Sequence, residues 1–317
     1  MENIGVITYP FISGLYYLAE SFKIYQEQLG NQVFMIPKKS FIYVNNKWTG
    51  HFKSEMNNFL LFNSDISYSL QLISYIKKYN IKKIFSFETF IKDSHWVEAI
   101  SKIGVQVIDI PMPEWSMKTD LYQNKYKKFS EVYCLTDQTF FLFKNFSNAK
   151  KITWDFCPNF SKIKKEKKDI ITFYHPGSNS EINQKNTPAV INSFSLVSFQ
   201  KVRLIISGLK NMEVKDKRIT FIGQKISRQE IHDAYAEADC IIAPSTREGL
   251  GMCFFEAKKI GCDIITSNVE PMKEHSNYLC RVSGYNQSDS LIPFAVIEPS
   301  AIAEQINKYC EDFYGTK

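Results

Sequence analysis

The stretch APSTREGLGMCFFEAKKIGCDIITS, Ala243 to Ser267, places Glu248 and Glu256 on either side of a Gly-Leu-Gly turn. The apolar run CIIAPS leads into it and has the length and composition of a buried strand. Glycines let the chain adopt positive φ angles or approach a ligand closely. Helix-compatible residues then run from about Gly251 to Gly261. The stretch therefore predicts a strand, a turn and a helix, in that order.

The two glutamates differ in their relation to the start of this helix. The first N–H groups of a helix are unpaired and carry partial positive charge, which suits a diphosphate. Glu248 precedes this anion site, where a carboxylate suits sugar hydroxyls better than phosphate. Glu256 lies about one turn inside the helix, within reach of a ribose. The alternative interpretation is two helix-end carboxylates that hold no ligand.

Short β-branched runs alternate with helix-length amphipathic segments on both sides of this stretch. Ile4 to Tyr9, Lys83 to Phe87 and Val202 to Ser207 are examples of such runs. Strands that alternate with helices predict parallel βαβ units and an α/β fold. Sheets of this kind bind ligands at the carboxyl ends of their strands.

The alternation is interrupted once and then restarts. The interruption begins at Cys157-Pro158 and continues through the lysine-rich segment SKIKKEKKD. We therefore predict two Rossmann-like domains, residues 1–158 and 159–317. Two further features are a predicted β-hairpin in FIYVNNKWTGHF, Phe41 to Phe52, and a closing helix, Pro299 to Phe313, which is a candidate to pack back on the first domain.

Composition points to an ordinary globular protein of the cytoplasm. Hydrophobic residues make up 44% of the chain and charged residues 23%, which is typical of soluble domains. No apolar run reaches the length of about 18 residues that a membrane span needs, so we expect no integral membrane association. The N-terminus, MENIGVITYP, lacks the basic and apolar segments of a secretory signal.

Several chemistries receive no support from the motifs. The seven cysteines are odd in number and include no CxxC pair, which argues for reduced thiols rather than a disulfide framework or a metal site. HExxH, GxSxG and GK[ST] motifs are absent, which argues against metalloproteases, α/β-hydrolases and P-loop enzymes. The net charge of +6 permits a polyanionic partner without requiring one.

The segment EGLGMCFFEA, Glu248 to Ala257, resembles the E-x7-E signature of retaining GT-B glycosyltransferases, especially those of family 4. The resemblance extends from Ile170 to about Glu274 through the order strand, helix, strand, motif, helix, strand. The segment PMPEW, Pro111 to Trp115, is more weakly similar to compact phage and bacterial glycosyltransferases. The resemblance implies two domains that face each other across a cleft, with the acceptor bound by the first and a nucleotide sugar by the second.

Roles for the central stretch follow from this resemblance. In such enzymes the first glutamate contacts the donor sugar and the second contacts the nucleotide ribose. The resemblance therefore implies these roles for Glu248 and Glu256 respectively. It also implies that the backbone of Gly249, Leu250 and Gly251 faces the diphosphate.

The resemblance implies basic residues after the first strand of the second domain as well. Lys185, in NQKN, matches the usual lysine, and we group it with Glu248 as a catalytic candidate. The arginine that normally precedes it is missing, because HPGSNSEIN has no basic group besides His175. Lys210 and Arg247 are the candidates for the second positive charge.

The remaining candidates lie near predicted strand ends. Glu88 follows a strand of the first domain and is a candidate catalytic residue. Gly14, His175 and Gly223 are candidate donor-binding residues. For Gly14 a simple turn is the alternative, and for His175 the alternatives are a general base, a contact with a hydroxyl and a structural role.

Together these observations predict a retaining glycosyltransferase that moves a hexosyl or pentosyl group from a nucleotide sugar, such as a UDP or GDP sugar, to an acceptor hydroxyl. No permanently bound cofactor or metal is expected. The acceptor is either a hydroxymethylated base in DNA or a surface glycan or lipid precursor. A GT-B-fold nucleotide-sugar epimerase and a catalytically silent nucleotide-sugar binder are the two other functions considered.

Overall fold

A computed structural model describes residues 1–9, 14–38, 67–88, 95–119, 125–154, 157, 160–163, 169–177, 184–209, 214–223 and 226–315, and the backbone of 43–44 and 47–48. The chain divides into two compact units, Met1–Pro158 and Asn159–Lys317. Each unit contains one six-stranded parallel sheet with helices packed on it. The predicted α/β class, with two Rossmann-like domains, is therefore confirmed.

The first unit is built from strands that the sequence marks as short, apolar and β-branched. They are β1 (Asn3–Thr8), β2 (Gln32–Pro37), β3 (Tyr43–Val44), β4 (Lys47–Trp48), β5 (Lys83–Phe87), β6 (Gln106–Ile110), β7 (Glu131–Cys134) and β8 (Ala149–Lys151). Six of them form the main sheet in the order β2-β1-β5-β6-β7-β8. The order reverses between β1 and β5, and ligands of open α/β sheets bind at the carboxyl ends of strands at such a switch point.

The predicted hairpin is present as the pair β3 and β4. Tyr43 lies opposite Trp48 and Val44 opposite Lys47, in antiparallel register. The expected turn residues, Asn45 and Asn46, lie outside the described residues. The hairpin is therefore confirmed at its two short strands.

Helices of the first unit pack their apolar faces on the sheet or on each other. They are α1 (Gly14–Gln28), α2 (Tyr68–Tyr79), α3 (His95–Ser101) and α4 (Asp137–Phe143). In α1, Leu18 and Phe22 are one turn apart and both buried, and the Phe22 ring lies 4.7 Å from the ring of Phe85 on β5. This contact fixes α1 on the face of the sheet that carries Phe85.

The second unit repeats the plan of the first. Its strands are β9 (Ile171–Pro176), β10 (Val202–Ser207), β11 (Ile219–Phe221), β12 (Cys240–Ala243), β13 (Asp263–Ser267), β14 (Tyr278–Cys280), β15 (Gly284–Asn286) and β16 (Phe294–Val296). The main sheet has the order β11-β10-β9-β12-β13-β14, and β15 and β16 form a separate antiparallel pair. The switch point therefore lies between β9 and β12.

The described residues of the second unit include four α-helices. They are α5 (Thr187–Ser193), α6 (Arg228–Glu237), α7 (Met252–Ile260) and α8 (Pro299–Gly315). The sequence predicts α5 as far as Ser198, but the α-helix ends at Ser193 and a short 3₁₀ turn follows. The closing helix α8 packs on α5 and β14, which are elements of its own unit.

Candidate functional site

The Gly-Leu-Gly turn joins β12 to α7 at the switch point of the second sheet. Gly249, Leu250 and Gly251 are all buried, and Gly251 is the N-cap of α7 with a φ of 74°. A Cβ at Gly251 would collide with the Phe254 ring, so both the backbone angle and the close packing require glycine here. Because the cap residue has no side chain, the helix begins without a side-chain cap, as an anion-binding helix start does.

Glu248 lies directly before this turn and is hydrogen-bonded on one oxygen. Lys185 Nζ forms a salt bridge with Glu248 Oε1, and Ser245 Oγ donates to the same oxygen at 2.7 Å. The Glu248 side chain is 7% exposed, whereas that of Lys185 is 25% exposed. The structure therefore brings together the two catalytic candidates of the second domain, and the lysine is the more accessible of the two.

Hydrogen bonds of Gln184 hold the Lys185 segment against the loop that carries Glu248. Thr246 N donates to Gln184 O at 2.8 Å, and Gln184 Nε2 donates to Arg247 O at 2.9 Å. Asn186, which adopts a left-handed conformation with a φ of 56°, then leads into α5. Asn186 Nδ2 also donates to Ile297 O at 3.2 Å, so the position of Lys185 is set by contacts on both sides of it in the chain.

Glu256 lies in the second turn of α7 and is held by two donors from α6. Arg228 Nη1 donates to Glu256 Oε1 at 2.8 Å, and the Tyr235 hydroxyl donates to Oε2 at 3.0 Å. Burial raises the pKa of the Glu256 carboxyl, while Arg228, Tyr235 and Lys185 act in the opposite direction. The sequence did not single out Arg228 or Tyr235, although the Ser227–Glu230 capping box that starts α6 is readable in SRQE.

His175 is completely buried beneath the site. Its Nδ1 is 2.6 Å from Ile242 O and its Nε2 is 2.9 Å from Thr187 Oγ1, so the ring connects β9, β12 and the start of α5. Burial lowers the pKa of His175 to about 4, which keeps the imidazole neutral at pH 7. Nδ1 must then donate to the carbonyl, and Nε2 accepts from the threonine hydroxyl. His175 supports the site from below, and its expected contact with the donor stays a prediction.

The two candidates for a second positive charge have different outcomes. Lys210 lies outside the described residues. Arg247 is buried, donates to Ser290 Oγ at 2.8 Å, and has its guanidinium carbon 3.8 Å from the centre of the Phe294 ring. These contacts direct Arg247 towards the segment around β16. Arg228, which contacts Glu256, is a further positive charge near the site that no sequence motif indicates.

The two glycine candidates lie at element ends. Gly14 begins α1, and an added Cβ there would meet no heavy atom within 4 Å. Gly223 follows β11 with a φ of 102°, and its carbonyl accepts from Gly208 N at 3.0 Å. Gly223 therefore has a conformational reason to be glycine, and donor contacts for both glycines stay predictions.

A second cluster of charged side chains lies at the switch point of the first sheet. Glu88 directly follows β5 and is buried, with a left-handed φ of 55° that non-glycine residues rarely adopt. Lys38, after β2, donates to the Glu88 carbonyl, and its Nζ lies 3.7 Å from Glu88 Oε2 and 4.0 Å from the centre of the Tyr9 ring. Burial raises the pKa of Glu88 to about 7 against the opposing charge of Lys38.

Three further observations concern metal ligands, cysteines and membrane spans. Among the described residues, no group of three or more His, Cys, Asp or Glu side chains is placed to hold a metal ion. The seven cysteines are all buried free thiols. Within the part of the chain that the structure covers, every helix is too short or too polar to cross a membrane.

Sequence comparison connects the second unit with a known family. Residues 171–312 match the family model described as Glycosyl transferases group 1. This range contains Lys185, Glu248 and Glu256. No curated protein matches the sequence significantly.

Solved structures resemble the chain over nearly its whole length. A glycosyltransferase from Rickettsia africae ESF-5 has a TM-score of 0.68 at 13% identity, over 99% of this chain and 89% of that one. The pneumococcal O-GlcNAc transferase GtfA, in complex with UDP and GlcNAc, has a TM-score of 0.63 at 11% identity, over 98% and 92%. A putative UDP-N-acetylglucosamine 2-epimerase from Listeria monocytogenes has a TM-score of 0.56 at 9% identity, over 99% and 88%.

These structural similarities show that the predicted fold is correct, since two parallel sheets of six strands in two Rossmann-like units are the GT-B arrangement. An epimerase with the same fold shows that the fold alone does not define the reaction. The family match adds what the fold does not give, because it relates the second unit to glycosyltransferases of group 1. The group 1 match and the GT-B fold establish the class of enzyme: this chain is a glycosyltransferase.

Proposed function

We propose that this glycosyltransferase moves a sugar from a nucleotide-sugar donor, bound by the second unit, to a hydroxyl of an acceptor bound by the first, with retention at the anomeric carbon. The observation that supports this most directly is the Lys185–Glu248 pair beside the Gly-Leu-Gly turn. The pair and the uncapped start of α7 lie together at the switch point of the second sheet, where α/β sheets bind ligands.

In this proposal, the diphosphate of the donor binds at the start of α7. The helix start supplies N–H groups and partial positive charge, and the partly exposed ammonium of Lys185 supplies a full charge. Glycine at position 251 allows close approach, because it presents no side chain between the helix start and the ligand. Lys185 therefore neutralises charge on the diphosphate.

The two glutamates hold the two sugars on either side of that diphosphate. Glu248, already fixed by Lys185 and Ser245, accepts hydrogen bonds from hydroxyls of the transferred sugar. Glu256, fixed from α6, accepts hydrogen bonds from the ribose. The similar GtfA is in complex with UDP and GlcNAc, which makes uridine nucleotides the first donors to test.

The reaction then depends on stabilising the leaving group. The bond between the anomeric carbon and the diphosphate oxygen breaks, and the electron pair leaves with the diphosphate. The acceptor oxygen bonds to the same face of the anomeric carbon, and its proton passes to the departing phosphate. Lys185 and the start of α7 stabilise the charge that develops on the diphosphate, the kind of electrostatic effect that commonly dominates enzymatic rate enhancement.

Glu88 is the proposed catalytic residue of the acceptor side. It lies at the switch point of the first sheet, in a strained backbone conformation and beside a buried lysine. A carboxyl group whose pKa burial raises to about 7 is suited to accept a hydrogen bond from the acceptor hydroxyl and so to orient it, while the proton passes to the departing phosphate. Strained residues and perturbed acids of this kind concentrate at functional sites.

A thermal-shift panel tests the donor proposal. Nucleoside diphosphates and their sugars should raise the melting temperature of the protein, because a ligand that binds only the folded state stabilises it. Lys185→Met should reduce the shift produced by the preferred nucleotide. Lys273→Met is the matched control, since Lys273 forms an exposed ion pair with Glu270. The donor proposal fails if no nucleotide shifts the wild type, and the Lys185 assignment fails if K185M responds like the control.

Product analysis without an acceptor separates transfer from epimerisation. A transferase releases the nucleoside diphosphate slowly, with water as the acceptor. An epimerase instead inverts one carbon of the sugar, either while the sugar stays attached to the nucleotide or by eliminating the nucleoside diphosphate and hydrating the sugar. Appearance of an epimeric sugar would favour the epimerase reading and contradict the transfer mechanism. Release of the unaltered sugar at a rate that depends on Glu248 would support transfer.

The proposed acceptors are a hydroxymethylated base in DNA and a surface glycan or lipid precursor. The net charge of +6 is compatible with a polyanionic acceptor such as DNA. Transfer of labelled sugar to duplex DNA that contains hydroxymethylcytosine tests the first acceptor directly. Its affinity should fall steeply with salt concentration, because phosphate contacts release counterions. Labelling of a glycan or lipid fraction instead would identify the second class.

A further inference from the structure

Three short segments of the first unit meet around the buried side chain of Tyr126. The Tyr126 hydroxyl lies 3.2 Å from Ser116 Oγ, and the centre of its ring lies 4.6 Å from that of Phe143 at the end of α4. Asn148 Nδ2 donates to Tyr126 O at 3.1 Å. The segments that carry Ser116, Tyr126 and Asn148 are therefore neighbours on one unit.

Positive charge dominates these segments. Residues 115–130 contain four lysines and one acidic residue. Residues 138–151 contain three lysines and no acidic residue, and two of these lysines form ion pairs with nearby acids. Lys127 and Lys144 are exposed, and neither forms an ion pair with another residue of the described chain. The segments therefore carry an excess of positive charge.

The lysines that flank Tyr126 are close enough to affect one another. Burial lowers the pKa of Lys128 and the charge of Lys125 acts in the same direction, while Glu98 and Asp109 oppose both. Like charges that are held together repel each other, and a bound anion relieves that repulsion. This part of the unit therefore favours a partner with negative charge.

Exposed aromatic rings lie on the same segments as these lysines. Trp115 is 39% exposed and Phe141 is 66% exposed, although large aromatic side chains are mostly buried. Lys144 Nζ lies 4.1 Å from the centre of the Phe141 ring, which is a cation–π contact. Surfaces that bind single-stranded nucleic acids combine basic side chains at the phosphates with rings on which bases stack.

Trp115 also lies close in the chain to the proposed catalytic residue of the acceptor side. It ends the 3₁₀ turn Pro113–Trp115, which follows β6 after two residues. The carbonyl of Ile110, the last residue of β6, accepts a hydrogen bond from Glu88 N at 2.9 Å. The segment that carries Trp115 therefore starts at the strand ends where Glu88 lies.

The surface that carries these features consists of Trp115, Lys118, Lys125, Lys127, Phe141 and Lys144. We propose that it binds a single strand of DNA, with lysines at the phosphates and Trp115 stacked on a base. This inference rests on the proposed function, in which the first unit binds the acceptor. It adds the class of acceptor, which is DNA with accessible bases, and the residues that recognise it.

An anionic membrane is the other partner that basic and aromatic residues can bind. A ring that inserts into lipid leaves water, and the ammonium 4.1 Å from the Phe141 ring would have to be displaced or desolvated with it. The helix that carries Phe141, α4, has seven residues, whereas helices that lie in a membrane interface commonly have about 20 to 30. These observations favour nucleic acid, and a membrane is one outcome of the test.

Fluorescence anisotropy with a labelled single strand of DNA, longer than the roughly 16 nucleotides that such a surface can cover, tests the inference on the full chain. Affinity should fall as salt is added, because phosphate contacts release counterions. Lys127→Met and Lys144→Met, combined in one chain, should weaken binding and reduce the slope of log affinity against log salt by about 0.7 for each lysine. The matched control combines Lys215→Met and Lys217→Met, since these exposed lysines precede β11 in the second unit.

Trp115→Leu separates stacking from charge. Leucine keeps an apolar side chain but has no ring, so affinity for the single strand should fall about 5- to 100-fold while the salt slope stays unchanged. Trp115→Phe should keep most of the affinity. All of these variants should keep the wild-type thermal shift with the preferred nucleotide, which shows that they are folded and that the donor site is intact.

Failure of the inference and failure of the proposed function give different results. If a nucleotide stabilises the wild type but the single strand does not bind, or binds independently of both the lysine pair and Trp115, the inference is overturned and the donor proposal stands. If no nucleotide stabilises the protein, the proposed function fails, and the surface is still judged by binding of the strand. Binding to phosphatidylglycerol vesicles without binding to the strand would assign the surface to a membrane and would also overturn the inference.

Discussion

The two sheets of this molecule each place a lysine–glutamate pair at the point where the strand order reverses. In the first unit the pair is Lys38 and Glu88, after β2 and β5. In the second unit it is Lys185 and Glu248, before α5 and after β12. The same topology therefore brings the same two residue types together twice, although no sequence motif is shared between the pairs.

The surroundings of the two pairs are different. Lys38 and Glu88 are both buried, with side chains 7% and 10% exposed, and their charged atoms are 3.7 Å apart. Lys185 is 25% exposed and contacts Glu248 directly, with Ser245 as a further donor to the same oxygen. The first pair therefore leaves its carboxyl poorly compensated for burial, whereas the second gives a similarly buried carboxylate two hydrogen-bond donors and leaves only its lysine partly exposed.

In the proposed function, this difference lets one fold supply two kinds of chemistry. A weakly compensated carboxyl exchanges its proton near neutral pH, which suits a group that assists an acceptor hydroxyl. A carboxylate with fixed hydrogen bonds suits recognition of sugar hydroxyls, and the lysine beside it suits a phosphate. The comparison predicts that substitutions at the two sites affect different measurements.

The largest effect is expected from Glu248→Gln. The amide keeps the shape of the side chain but removes the charge that pairs with Lys185 and that, in the proposed function, accepts hydrogen bonds from the donor sugar. We expect the rate of nucleoside diphosphate release from the preferred donor to fall about 10²- to 10³-fold, as for loss of a single electrostatic contact in an active site. Glu88→Gln should slow transfer but leave binding of the nucleoside diphosphate unchanged.

Glu237→Gln is the control for this experiment, because Glu237 has a side chain 44% exposed and pairs with Arg203 away from the site. A wild-type rate for E248Q would remove the central assignment. Weaker nucleotide binding in E88Q would remove the division of labour between the two pairs.

A second prediction concerns stability as a function of pH. The pKa of Glu88 is raised by burial from 4.5 to about 7, so the folded state binds the proton more tightly than the unfolded state does. The resulting stabilisation is present below about pH 4.5 and is lost as the pH rises to about 7, by about 3 kcal/mol in the free energy of unfolding. Glu88→Gln should not show this loss.

Urea denaturation between pH 4.5 and 8 gives the free energy of unfolding of wild type and E88Q, and the difference between them is the contribution of Glu88. Lys38→Met should extend the loss to higher pH, because Lys38 is the charge that lowers the pKa of Glu88. A difference between wild type and E88Q that does not vary with pH would contradict the electrostatic contrast between the two pairs.

Much of the second site could be predicted from sequence because its determinants are local. The spacing of Glu248 and Glu256, the glycines between them and the apolar strand before them all lie within one stretch. Lys185 could be added because it matches the lysine that the resemblance implies after the first strand of the second domain. Periodicity of 2 and 3.6 residues was sufficient to identify most of the strands and helices.

Contacts between distant parts of the chain could not be predicted in this way. Arg228 reaches Glu256 only because α6 packs on α7, and no spacing in the sequence shows which face of α6 does so. Lys38 and Glu88 are 50 residues apart in the chain and meet only because β2 and β5 are the two neighbours of β1 in the sheet. The strands β8 and β14, of three residues each, are too short for alternation and exist because the sheet edge pairs with them.

The smallest expected effect concerns how the two sites fix their backbone. Glu88 adopts a left-handed backbone conformation although it is not a glycine, whereas the second site has a glycine, Gly251, with a φ of 74°. Gly251→Ala adds both backbone strain and a collision with the Phe254 ring, and should destabilise the protein by about 1–3 kcal/mol. Gly30→Ala is the matched control, since its φ is 85° but its Cβ would meet nothing within 4 Å.

The difference between these two alanine variants isolates the collision from the backbone strain. We expect G251A to be less stable than G30A in urea denaturation and to bind the nucleoside diphosphate more weakly, because the start of α7 must shift to accommodate the methyl group. Glu88→Gly should have the opposite effect on stability at the first site, because glycine relieves the strain of the left-handed conformation, and it should leave nucleotide binding unchanged. Equal stability and nucleotide affinity in G251A and G30A would mean that the close packing at the start of α7 does not shape the donor site.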